Sequence, residues 1–206
     1  MLDALRVLWR AVLKFEDYNW LFISANVVAV LLSLPIITAP AAFAGLSRLS
    51  HTAMLGPTAA FSDFWSGFRF HFWRGIIVGI ANVVIIGIFW SNLTAYSART
   101  DILFTILRAM WIIVLVVWLT LQFYLWPILE EMEIPTLRGG LRSAAVMMAQ
   151  NPFFTLVLLF SVLIIVLIST ALILPWFLLT NSMIACIANA AVINRLQLVR
   201  SHTPSV

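Results

Sequence analysis

The chain has 206 residues, 63% of them apolar and only 10% charged, less than half of the roughly 25% charged share of an average soluble domain. Such a chain takes the bilayer as its solvent. Its 12 Lys and Arg against 8 Asp and Glu leave a net charge of +4, too sparse for the clustered phosphate contacts of a nucleic-acid surface. A single cysteine, Cys186, leaves no intramolecular disulfide and no thiolate metal cage. No cofactor and no metal are expected.

In chain order, residues 2–16 come first. They place Leu2, Leu5, Leu8, Trp9, Val12, Leu13 and Phe15 largely on one helical face, with Arg6, Arg10 and Lys14 repeating at i+4 on another; this reads as an interfacial helix. The run 20–46 is uncharged but carries Pro35 and Pro40, so it reads as a broken helical hairpin over 20–55. Basic residues before an apolar stretch and the Ala39-Pro40-Ala41 triplet imitate a secretory signal. The chain beyond that triplet has the composition of more membrane protein, which argues against one. Segments 76–96, 109–128, 153–174 and 176–194 each supply the about 20 apolar residues that cross about 30 Å of hydrocarbon. Residues 197–206 read as a flexible tail.

Lys and Arg collect in cytoplasmic loops. If the run 20–46 crosses once, Arg6, Arg10, Lys14, Arg99 and Arg108 face the other seven, which is no bias. If the chain turns at Pro35 to Pro40 and returns through 41–55, only Arg99 and Arg108 fall outside, with the other ten inside. The expectation is therefore an all-α, polytopic membrane protein of six membrane segments, five long and one short or re-entrant, with both termini cytoplasmic. Arg48 and His51 then lie in the second segment, where they must be buried or near an interface. Trp20, Trp73, Trp90, Trp126 and Trp176 fall near span ends as headgroup anchors, and Arg108 reaches back to the outer interface.

Aligned with itself at an offset of 78, the chain pairs Pro57-Thr58 with Pro135-Thr136 and Trp73-Arg74 with Asn151-Pro152. Repeats over 58–128 and 135–196 would each join an amphipathic helix to an apolar hairpin. In the first, Phe61, Phe64, Trp65, Phe68 and Phe72 form one apolar stripe with Asp63 and Arg69 off it; in the second, Arg138 and Arg142 lie one turn apart opposite Leu137, Leu141 and Ala144.

Asn26, Ser33-Leu34-Pro35, Thr38, Pro40-Ala41 and Ala44, the Phe61-Ser62-Asp63-Phe64 segment with Phe68 and Phe72, and the stretches 124–127 and 137–152 together resemble the YesL-like family of bacterial integral membrane proteins. The chain departs from that pattern at Ala29, where Trp is usual, at Ala39, where Gly is usual, and in the acidic Glu130-Glu131-Met132-Glu133. The resemblance implies a place in the bacterial plasma membrane and an accessory role beside a carbohydrate ABC uptake system, with its permease or ATPase subunits as partners. It implies no enzymatic activity.

The residues themselves offer no nucleophile and base, no carboxylate pair and no phosphate-binding loop. His51 and His71 read as interfacial histidines and the Glu130 to Glu133 stretch as a solvated loop near Arg138 and Arg142. Asn26, Asn82, Gln122 and Asn189 read as interhelical hydrogen bonds. Proline at 35 and 40 frees carbonyls near Leu31 and Ile36, and Thr38 and Asn26 are the side chains able to pair with them. Two functions are compatible with these residues. One is an interaction protein docking a transporter through Phe61, Asp63, Phe64, Phe68, Phe72, Arg138 and Arg142. The other is an autonomous carrier or channel for a small neutral solute at the Pro35, Thr38, Pro40 break.

Overall fold

The computed structural model describes residues 2–56, 58–96 and 101–202, and every regular element among them is helical. They are α1 (Leu2–Asp17), α2 (Asn19–Leu32), α3 (Ala39–Leu55), α4 (Phe61–Ala95), α5 (Ile102–Glu130), α6 (Leu137–Gln150), α7 (Pro152–Leu172), a π-helical turn (Trp176–Thr180) and α8 (Asn181–His202). Four are long and apolar enough to cross a membrane: α4, α5, α7 and the stretch Trp176–Ser201. They take in all but at most the last two residues of each of the four runs expected from hydropathy. The broken run 20–46 separates into α2 and α3 around residues 33–38, with Pro40 in the first turn of α3, where its missing N–H costs nothing.

The last helix is the hub. Of its most apolar window 61% is buried within the chain, against none for α5, because α1, α2, α3 and α5 all pack on α8. Ala185, Ala188, Ala190 and Ala191 are fully buried there and let the neighbours come close. Ala4, Val7, Ala11 and Phe15 of α1 are the side chains buried in this core. The apolar face read from the sequence is a different one: Leu5, Trp9, Val12 and Leu13 point outward and are exposed. The face that packs is built on two alanines, which hydropathy ranks low and close packing favours.

The tightest pairing joins α3 to α4 through glycines. A Cβ on Gly75 would stand 2.5 Å from the Ala41 Cβ, and one on Gly79 2.1 Å from the Ile37 carbonyl oxygen; Gly45 meets Phe64 in the same seam. The helices pack antiparallel, and residues 33–38 sit against the middle of α4. Phe64 is wholly buried and Phe68 nearly so. The stripe beginning at Phe61 is therefore the first part of one unbroken 35-residue helix, not a separate surface helix. The matching point of the second half is broken, because Asn151-Pro152 ends α6 and starts α7, whereas Trp73-Arg74 carries no residue that interrupts a helix. Replacing Phe64 and Phe68 with Asp should abolish recovery of folded protein in mild detergent, while Arg69→Gln, on the exposed side over Trp65, should leave the yield unchanged; each buried Phe is worth about 1.5–3 kcal/mol before the cost of charge.

Two further expectations change. Trp126 is buried against Val78, Leu125 and Leu129 and edge-on to His71, so it is core and not a headgroup anchor; Trp20, Trp73 and Trp90 are exposed. α8 continues to His202, so residues 197–202 are helix and not tail; the rest of that tail lies outside the described residues.

Candidate functional site

Three polar assemblies interrupt this apolar bundle. The first is the break between α2 and α3. Its turn is closed by backbone bonds, with the Leu31 carbonyl accepting from Leu34 N at 3.3 Å and the Ile36 carbonyl from Ala39 N at 3.1 Å. Ile36 takes φ +60°, a conformation disfavoured for a β-branched residue. The Thr38 hydroxyl donates back to the Leu32 carbonyl. Pro35 is exposed and Pro40 buried.

Asn26 does not serve this break. It is fully buried and holds the second one, ahead of α8. Its Nδ2 donates to the carbonyls of Trp176 and Phe177 at 2.9 and 2.8 Å, and its Oδ1 accepts from Ser182 N at 3.0 Å. One side chain thus satisfies three backbone groups released where Pro175 and the π turn disturb the helix. The sequence spacing hides the pairing, since Asn26 and Ser182 are 156 residues apart. Thr38→Val loses a single hydrogen bond, worth about 1 kcal/mol; the variant should fold with a slightly lower melting point in detergent.

The second assembly is a charged junction of α3, α4, α5 and α8. Glu130 Oε1 pairs with His71 Nε2 at 3.0 Å and its Oε2 with Arg48 at 3.8 Å. Glu131 pairs with His51 at 3.0 Å and Arg200 at 3.1 Å. An Arg74 nitrogen lies 3.4 Å from His71 Nδ1. A guanidinium can only donate, so Nδ1 accepts and Nε2 carries the proton given to Glu130. The His71 side chain is 1% exposed and that of Glu130 9%. This replaces the solvated loop expected around Glu130. The carboxylates pair with α3, α4 and α8, while Arg138 and Arg142 are exposed and carry no pairing among the described residues. It also resolves Arg48 and His51, which sit within α3 but are held against the end of α5. Two acids at a helix C-terminus oppose its dipole, and the surrounding cations offset that.

The third assembly lies within the spans. Asn82 and Gln122 exchange amide hydrogen bonds at 2.9 Å, and Trp118 Nε1 donates to Asn82 at 2.7 Å. Asn189 Nδ2 donates to Ser47 Oγ at 3.1 Å. Arg108 reaches back along α5 to the Phe104 carbonyl and Thr105 Oγ1.

Of the docking residues expected, Phe64 and Phe68 are consumed by the α3 seam, Phe61 is 39% exposed, and Asp63 accepts from Ala60 N at 2.9 Å as a helix cap. Trp65, Phe70 and Trp73 face outward with Phe61, and the guanidinium carbons of Arg48 and Arg74 lie 5.5 and 5.2 Å from the Phe70 ring. Among the described residues no three His, Cys, Asp or Glu side chains are placed to share a metal ion.

No curated protein and no solved structure matches the chain. Residues 17–93, which take in α2, its break, α3 and α4 almost to its end, match the model of the family described as "Protein of unknown function, DUF624", the family to which YesL-like proteins belong.

Proposed function

We propose that the chain is a non-enzymatic, multi-pass protein of the bacterial plasma membrane that acts as a partner of a transport system, a carbohydrate ABC uptake system in line with its resemblance to YesL-like proteins. One observation carries the reading. Polar groups within the bundle are turned inward on its own backbone and side chains, as in the Asn26–Ser182 and Glu130–His71 pairings, while long faces of α4, α5 and α7 are left uncovered by the chain itself. A carrier needs polar groups aimed at a path; a partner protein needs surface.

Six membrane segments and cytoplasmic termini belong to this reading. At 14 and 17 residues, α2 and α3 are about 21 and 25 Å long, short of about 30 Å, which supports a second segment that is short or re-entrant. The two short-loop turns into α4 and α6, through the extended residues Ala60 and Thr136, favour the helix-plus-hairpin repeat, in which only the second copy is broken. Single cysteines at Ser62 and Ser143 in a Cys186→Ala background should be shielded from an impermeant thiol reagent in intact cells, and one at Asp101 should react; the reverse pattern would invert the topology. Purification from native membranes in mild detergent should bring down sugar-transporter subunits in fixed ratio. Solute uptake by the chain alone in liposomes would overturn the partner role in favour of a carrier.

A further inference from the structure

The Asn82, Gln122 and Trp118 node is not saturated. Its bonds use both lone pairs of Asn82 Oδ1 but leave one N–H on each amide and one lone pair on Gln122 Oε1. Asn82 lies eight residues from Arg74 and Gln122 eight from Glu130, about 12 Å along either helix. At that depth acyl chains offer no acceptor, and an unpaired amide N–H in hydrocarbon is costly. Beyond the node α4 and α5 diverge around a crevice of about 260 Å³, lined by Ile85 and Ile88 on one wall and Trp111, Val114, Val117 and Trp118 on the other.

We propose that this crevice is a self-association site, occupied by α5 of a second copy of the chain. The groups left over at the node are complementary to themselves. Across a two-fold axis, the free N–H of each Gln122 reaches the free lone pair of the other, and the contact closes at two copies. Val114 and Val117 are 45% and 38% exposed on α5 and supply the ridge that each crevice receives. The proposal stands apart from the partner role, since a transport accessory and a carrier could each be a dimer.

The test uses the full chain with Cys186→Ala, carrying donor or acceptor dyes on a cysteine at Ser62, reconstituted into phospholipid vesicles over a range of protein-to-lipid ratios. Energy transfer should report a reversible dimer. Gln122→Leu removes both symmetric bonds, each worth about threefold in a membrane, and should weaken the dimer about tenfold. Val117→Trp fills the crevice and spares the amides, so it decides the matter if Gln122→Leu fails to fold, and it should weaken the dimer too. A cysteine at Val114 should form an intermolecular disulfide, and one at Ile164 on the exposed side of α7 should not. A chain that stays monomeric at every ratio, as a crevice filled by lipid or by another protein's helix would require, overturns the proposal. So does a dimer that neither substitution weakens.

Discussion

Gly79→Ala should leave little or no folded protein in detergent extracts, whereas Gly87→Ala, eight residues along the same helix, should be recovered at least as well as the parent. The added methyl at position 79 would stand 2.1 Å from the Ile37 carbonyl oxygen, and at position 87 it meets nothing within 4 Å. Overpacking an interior usually costs about 1–3 kcal/mol because side chains can shift. Here the obstacle is backbone, in a turn already fixed by Ile36 at φ +60° and by the hydroxyl of Thr38, so the cost exceeds that range. At position 87 the change brings only better helix propensity, up to about 1 kcal/mol. Fluorescence-detected size exclusion of tagged variants reads both. Equal recovery of the two would mean that α3 and α4 do not meet at this seam.

Glu130→Ala is the second large effect. It leaves His71 without its acceptor and Arg48 without its counter-charge, and breaking a buried pair from one side costs about 3–5 kcal/mol. The thermal melting point in detergent should fall sharply. Glu133→Ala, at an exposed position just past the end of α5, should leave it unchanged. Because a well-packed apolar pair can replace a buried ionic one, Glu130→Leu combined with His71→Phe should melt higher than Glu130→Leu alone. If the double variant melts lower still, the two side chains contribute independently and the junction is not a unit.

The long apolar helices are legible because each is a local statement: about 20 apolar residues in a row, or two prolines in an apolar run. The interior of the bundle was not local. His51 and Glu131 are 80 residues apart, His71 and Glu130 59, and Arg200 and Glu131 69, and no spacing rule connects them. Glu130 therefore looked like a loop residue, being polar, beside a proline and followed by more acids. Asn26 was legible as a polar group needing a partner, but the nearer break drew it away from the distant one it holds. The packing face of α1 escaped for another reason. Ala4 and Ala11 bury completely yet carry little hydrophobic weight, and the heavier Leu5, Trp9 and Val12 beside them dominate any apolar pattern.

The seating of α1 on α8 sets the order in which the protein can be made. Ala4, Val7, Ala11 and Phe15 belong to the core that α8 completes, and Asp3 lies 4.0 Å from Arg195. At about 5–20 residues per second a ribosome needs roughly 10–30 s between finishing α1 and beginning α8. Throughout that interval the inner face of α1 lacks its main partner and has only the Phe15–Phe22 stack with α2 to hold it. The outer stripe of Leu5, Trp9, Val12 and Leu13 has the make-up of a face that can lie at a lipid–water interface. An N-terminal helix that is apolar on two sides is thus suited to two surroundings at once, the alanine-lined flank of α8 within and an apolar phase outside.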